Sequence, residues 1–205
     1  VYFLDEMPSE MKKIHEDYNG SPHTNDRNFD NSLLGESKRM SEMLTNIYSH
    51  KFKIETKIAR CFSFVGPFMP LNIHYAIGNF IADISQYKPI IIKGDGSEYR
   101  SYMYISDLVI WLFHILLKGK NNNIYNVGSE ESITIYQLAK KISKFSDKKT
   151  EIIIKKQNNK KNKNIYVPST KKIRKELNLK PIVNLENAIK KTLAHVNSNK
   201  KFYNI

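Results

Sequence analysis

The residues able to do chemistry are unevenly supplied. The 205-residue chain has one cysteine, six histidines, five arginines and 28 lysines. The lone Cys61 excludes a disulfide scaffold and a Cys-rich zinc site. It falls in an apolar run where a buried strand is expected, so Cys61 reads as core and not as a nucleophile. His74 and His114 are not four apart and have no carboxylate at metal spacing, so no metal site is expected. The cations are more telling. Segment 148–175 holds eleven Lys and Arg against Glu151 alone, a local charge of +10, whereas the rest of the chain contributes only +3 to the total of +13. Such a patch can attract a polyanion. Nucleic-acid sites, however, favour the bidentate fork of Arg and interleave aromatic rings for base stacking. Arg174 and Tyr166 alone qualify here, which argues against nucleic acid. A joint bias toward Lys, Asn and Ile fits an AT-rich coding sequence without any selection for charge.

The elements that must position these groups alternate along the chain. Residues 1–34 are polar and turn-rich and are expected to form a long loop. Residues 36–49 place Met40, Met43, Leu44, Ile47 and Tyr48 at helical spacing. Residues 57–64 form a short apolar run closed by Gly66-Pro67, the pattern of a buried strand. A helix is expected over 75–87, then a strand over 89–92 running into the Gly94-Asp95-Gly96 turn. Another strand is expected over 100–105. Ser106 or Asp107 could cap the apolar helix that follows, with Trp111, Phe113, Leu116 and Leu117 as core. Strands over 124–127 and 151–155 flank a helix opened by the Thr134/Gln137 capping box and running to about Phe145. The Lys/Asn tract 155–164 reads as a solvated loop. Helices over 169–177 and 184–196 close the chain. This alternation defines an α/β protein. Its apolar content of 40% is too high for a disordered chain. No apolar run reaches the roughly 20 residues that span a bilayer, and Val1-Tyr2-Phe3-Leu4-Asp5 does not read as a signal peptide. Together with the single Cys this is compatible with a cytoplasmic setting.

Five short motifs in order resemble the second half of an extended short-chain dehydrogenase/reductase of the NAD-dependent nucleotide-sugar epimerase/dehydratase family. Gly35-Glu36-Ser37-Lys38 resembles the end of the family's Tyr-Gly-x-Ser-Lys motif. Arg60-Cys61-Phe62-Ser63-Phe64-Val65-Gly66-Pro67 is similar to Arg-x-Phe-Asn-x-Tyr-Gly-Pro. Lys93-Gly94-Asp95-Gly96 with Tyr99-Arg100-Ser101-Tyr102 and Tyr104-Ile105-Ser106-Asp107 looks like Gly-Asp-Gly … Arg-Asp-x-x-x-Val-x-Asp. Tyr125-Asn126-Val127-Gly128 resembles Tyr-Asn-x-Gly, and Val1-Tyr2 the Val-Tyr-Gly after the family's Ser-Ser/Thr strand. The resemblance implies an α/β fold: a remnant of a Rossmann-like, doubly wound parallel sheet plus a smaller α/β substrate-binding domain. Residues 1–66 would belong to the dinucleotide-binding part and 67–205 mostly to the substrate domain, with 105–128 returning to the Rossmann sheet.

The implied cofactor is NAD or NADP, and the implied ligand a UDP-, dTDP-, CDP- or GDP-sugar oxidised at C4. By resemblance Lys38 bonds the nicotinamide ribose and tunes a catalytic Tyr, Ser63 and Asn79 approach the substrate, and Arg100 holds its diphosphate. A planar guanidinium suits phosphate oxygens, and Arg is scarce in this chain. Two departures bear on activity. The family's glycine-rich loop for the NAD pyrophosphate has no counterpart in these residues. The Tyr position, four before Lys38, is Leu34. A phenol with pKa near 10 needs the lysine one turn away to become a useful base; Leu34 holds no proton at all. The expectation is therefore a truncated, catalytically impaired family member, possessing a homodimer surface on helix 36–49. The alternatives are a non-catalytic partner of a full-length homologue and a nucleic-acid module built on 148–175.

Overall fold

The computed structural model describes residues 12–18, 29–73, 75–155 and 164–205. In chain order these form α1 (Phe29–Phe52), β1 (Lys57–Cys61), β2 (Phe64–Val65), α2 (Ala76–Ser85), β3 (Ile90–Ile92), β4 (Tyr99–Arg100), β5 (Met103–Tyr104) and α3 (Ile105–Lys118). Then follow β6 (Asn123–Val127), β7 (Ile133–Thr134), α4 (Ile135–Ser143), β8 (Ile152–Ile154), β9 (Ile165–Tyr166), α5 (Lys171–Leu177), α6 (Leu185–Ser198) and α7 (Lys200–Tyr203).

Two cores organise these elements. In the first, β1 and β6 run parallel, from Lys57 opposite Asn123 to Cys61 opposite Val127. Parallel neighbours need a crossover, and the connection between them includes α3. That helix buries Trp111 and Ile115 against Met103, Tyr125 and Val127, and α5 adds Ile173. In the second, α2, α4 and α6 pack together beside the parallel pair β3–β8. Their apolar stripes meet in Phe80, Ile81, Ile84, Leu138, Ile142, Ile189 and Val196, with Ile90 and Ile92 from β3. A small sheet in the order β7-β4-β9 and the parallel pair β2–β5 lie where the chain passes between the cores.

Three polar contacts, two of them on buried side chains, fix the passage. Asp107 is 1% exposed and accepts from the backbone N–H groups of Ile182 (3.0 Å) and Val183 (2.9 Å) ahead of α6. Asn126 donates to Ile14 O and Ser169 O, holding the fully buried Ile14 beside Pro168. Glu130 accepts from Lys13 and from the Thr170 N–H and hydroxyl, and pairs with Arg174. Burial raises the Glu130 pKa, but those donors and cations outweigh it and hold the carboxyl below its ordinary range.

The structure corrects several expectations. Residues 29–34 are helical, so α1 starts well before the expected 36, while 1–11 and 19–28 lie outside the described residues. The single strand expected over 100–105 is two short ones in different sheets, parted at Ser101-Tyr102, where Tyr102 turns inward to 7% exposure. Neither Ser106 nor Asp107 caps α3; its N-cap is Tyr104, with no side-chain bond, and Asp107 is spent on the chain before α6. Trp111 is core, but Phe113, Leu116 and Leu117 are 60–76% exposed. An almost wholly apolar helix hides its orientation from periodicity, and the stripe Asp107–Trp111–Ile115 wins. Cys61 is exposed at the end of β1 and is not core. The Thr134/Gln137 capping box forms as expected, with bonds of 3.1 and 3.0 Å. The short α7 had no sequence signal. The tract 156–163 and His74 lie outside the described residues.

Candidate functional site

Four loops and strand ends converge on a cavity of about 420 Å³. Ser63 reaches it from the link between β1 and β2, where its carbonyl accepts from Met103 N at 3.0 Å. Asn79 reaches it from the first turn of α2, and Arg100 from β4, the middle strand of its sheet. Three residues proposed from sequence as substrate contacts thus line one cavity, although they come from different elements. Two glycines shape the approach. Gly66, just after β2, lets the chain pass close to the start of α3, where a Cβ would lie 2.4 Å from Ile105 Cγ2. Gly96 has φ +77° in the turn before β4, and its carbonyl accepts from Tyr136 N.

Arg100 is half-buried and held on two sides. Its Nη1 donates to Tyr99 O (2.8 Å) and Asn164 Oδ1 (3.1 Å), and its Nη2 to Glu98 Oε2 (3.0 Å). Lys93 is the second cation on the cavity wall and Glu98 its carboxylate. The floor includes Phe80, Ile92 and Ile135. Aromatic rings of Tyr75, Tyr102 and Tyr166 complete the lining. The charge balance suits an anion bound beside an apolar body, as in a phosphorylated small molecule. Burial pushes the Tyr102 phenol up to about 12, with the nearby Arg100 pulling it down and Glu98 adding to the rise. Tyr102 is therefore a neutral donor at pH 7 and no substitute base.

Lys38 lies elsewhere. It lines a separate groove of about 450 Å³ between α1 and β1, with Glu42, Thr45, Arg60 and the exposed Cys61. Arg60 braces this groove by pairing bidentately with Glu42 at 2.7 Å and donating to Glu16 O. Tyr166 on β9 borders both the groove and the cavity and contacts the Phe62 ring at 4.8 Å. Sequence reasoning saw Tyr166 only as a stray aromatic near basic residues. A strand of two residues after a Lys/Asn tract carries no signal that it will be folded between two sites. Lys93, Glu98 and Tyr102 were also missed as lining, although they sit inside or beside the quoted motifs. Leu34 is 50% exposed on an unbroken turn of α1, where its carbonyl accepts from the Ser37 hydroxyl at 2.9 Å.

The groove offers a lysine ammonium as donor and the hydroxyl oxygens of Ser41 and Thr45 as acceptors, their protons being given to Ser37 O and Ser41 O; such a set fits a hydroxyl-bearing ribose. Among the described residues no glycine-rich turn opens a helix to hold a pyrophosphate. No group of three or more His, Cys, Asp or Glu able to hold a metal occurs among the described residues, and none of the described helices is long and apolar enough to cross a membrane.

The parallel pairs β1–β6 and β3–β8 with helices packed against them are those of a Rossmann-like α/β protein. The profile of the NAD dependent epimerase/dehydratase family matches residues 13–128, and the chain belongs to that family. It is 33% identical over 121 residues to UDP-glucuronic acid decarboxylase 4 of Arabidopsis thaliana, covering 59% of this chain and 27% of that protein. Among solved structures it resembles a UDP-glucose 4-epimerase with UDP-glucose from Thermotoga maritima (TM-score 0.71, 22% identity, 81% of this chain and 53% of that one). It also resembles WbmF of Bordetella bronchiseptica in complex with NADH (TM-score 0.73, 20% identity, 94% and 61%). These structures share the Rossmann-like fold. The chain spans about a quarter of the decarboxylase, about half of the epimerase chain and about three fifths of WbmF.

Proposed function

We propose that this chain carries the nucleotide-sugar site of an NAD(P)-dependent epimerase/dehydratase and is impaired in the oxidation step. One observation carries the reading: Ser63, Asn79 and Arg100, proposed as substrate contacts, border one cavity of about 420 Å³ that also offers Lys93 and a largely apolar floor. In this reading the Arg100 guanidinium takes the diphosphate, Ser63 and Asn79 bond its sugar-side oxygens, and the apolar floor takes the base. The ligand class is a UDP-, dTDP-, CDP- or GDP-sugar. Family membership, the similarity to UDP-glucuronic acid decarboxylases and a solved relative with UDP-glucose favour the uridine form.

Lys38 would bond the ribose of NAD or NADP, which when bound supplies the hydride acceptor. Oxidising a sugar hydroxyl also needs a base for its proton. Leu34 occupies that position one turn from Lys38 and holds none; general-base catalysis of this kind contributes roughly 10²–10⁴-fold. We assign residues 1–66 to the dinucleotide-binding part and 67–205 mostly to the substrate part, with 105–128 belonging to the Rossmann sheet. The pairing of β6 with β1 supports that last assignment.

Isothermal titration with UDP-glucose, dTDP-glucose, CDP-glucose and GDP-mannose tests the reading. One of the four is expected to bind, and Arg100→Met to weaken it roughly 10- to 100-fold, the scale of a lost charge-assisted pair. Failure of all four to bind ends it.

A further inference from the structure

We infer that Glu98 is a resident anion that competes with the ligand's diphosphate for Arg100, and so sets how strongly the cavity takes diphosphates of different charge. The inference rests on the nucleotide-sugar reading above. The Arg100 guanidinium carries five N–H groups on Nε, Nη1 and Nη2. Nη1 is committed to the backbone side, donating to Tyr99 O and to Asn164 Oδ1. Nη2 holds Glu98 Oε2 at 3.0 Å, so the carboxylate already pairs with one edge of the guanidinium fork. Both side chains line the cavity, so the carboxylate stands where a phosphate oxygen would dock.

The backbone makes this contact durable. Ile135 N donates to Glu98 O at 3.0 Å and Tyr99 N to Asn164 O at 2.9 Å, so β4 is clamped on both edges. Alternation along the strand puts residues 98 and 100 on one face, and a one-residue slip would part them. The Glu98 side chain is nevertheless half exposed, so it can swing to water when a stronger anion arrives. The wall then carries Lys93 and Arg100 against a displaced but still nearby negative charge.

This arrangement penalises ligands in order of their charge. A free nucleoside diphosphate ends in a phosphate of about −1.5 to −2, whereas a sugar cap blocks the second ionisation. Repulsion from Glu98 therefore falls hardest on the free diphosphate, less on the nucleotide-sugar, and not at all on the nucleoside. Glu98 would favour the sugar-linked ligand over the bare nucleotide left when the sugar is removed.

The test is titration of UDP, UDP-glucose and uridine into the wild-type chain, Glu98→Gln and Glu98→Ala, with thermal midpoints measured alongside. Both substitutions are expected to tighten UDP roughly fivefold to tenfold, the size of one partly exposed charge pair. They should tighten UDP-glucose about half as much on a logarithmic scale and leave uridine unchanged. Equal gains for all three ligands would mark a structural effect and overturn the proposal. Unchanged or weaker UDP binding would also overturn it, the latter making Glu98 an acceptor for the ligand. If UDP and UDP-glucose bind to none of the three proteins, the nucleotide-sugar reading itself falls, and the proposal with it.

Discussion

The cavity around Arg100 and the groove around Lys38 both border Tyr166, yet they are equipped differently. The cavity keeps what an anionic ligand needs: a half-buried guanidinium on a clamped strand, a second cation and an apolar floor. The groove keeps a lysine but not the phenol that the lysine would tune. Arg60 and Glu42 hold its geometry, with Leu34 on an intact helical turn. Under the proposed function, ligand binding and acid–base chemistry would rest on separable residues.

The largest effect expected tests the groove. In a chimera supplied with a relative's dinucleotide-binding half, Leu34→Tyr should raise turnover of a nucleotide-sugar roughly 10²–10⁴-fold. A chimera that binds NAD but gains no turnover would place the defect outside Leu34. Next is Tyr102, whose phenol is raised to about 12 when folded, against about 10 when unfolded. Between those values the unfolded chain has lost a proton that the folded chain keeps, so stability falls as pH rises. The loss is full by about pH 12 and absent below about pH 10, at roughly 1.4 kcal/mol per pH unit. Tyr102→Phe should flatten that limb in denaturant titrations at pH 9 to 12; an unchanged limb would assign it to other groups.

Smaller effects sharpen the contrast. Glu130→Gln keeps an amide oxygen for Thr170 but turns an NH2 toward Lys13 and Arg174, and should cost about 1–3 kcal/mol in urea unfolding. Because the Glu130 carboxyl is held below its ordinary range, its contribution is present above the unfolded value and is lost as pH falls through the folded one. The variant should show less acid sensitivity than the wild type. The smallest effect is the most diagnostic: Lys38→Met should change nucleotide-sugar affinity less than about twofold, against the roughly 10- to 100-fold loss for Arg100→Met. A comparable loss for both would collapse the two sites into one.

Much of this was legible in the residues. The α/β class, the order of the helices α1 to α6, the Thr134 capping box and the family motifs all depend on local spacing or on short strings. So did Ser63, Asn79 and Arg100 as candidates, and Leu34 as the departure. Their meeting in one cavity was not legible, because it depends on β4 sitting between β7 and β9 and on the chain leaving that sheet at Ser101-Tyr102. The all-apolar helix α3 could not reveal which stripe faces inward, since every stripe of it looks like core; only packing against Tyr125 and Val127 buries Trp111 and leaves Leu117 out. Cys61 was misjudged for a related reason: an apolar strand reads as buried, but exposure at its end depends on what lies beside it. Asp107 read as a cap because a carboxylate in the first turn usually is one, whereas its true partners, Ile182 and Val183, lie some 75 residues away. The sequence by itself determined which side chains are available and the local geometry each can adopt, because those follow from spacing and torsional preference. Only the tertiary structure decided which of them share a site, because Arg100 and Tyr166 are brought together by the pairing of β4 with β9, over a distance that no local pattern encodes.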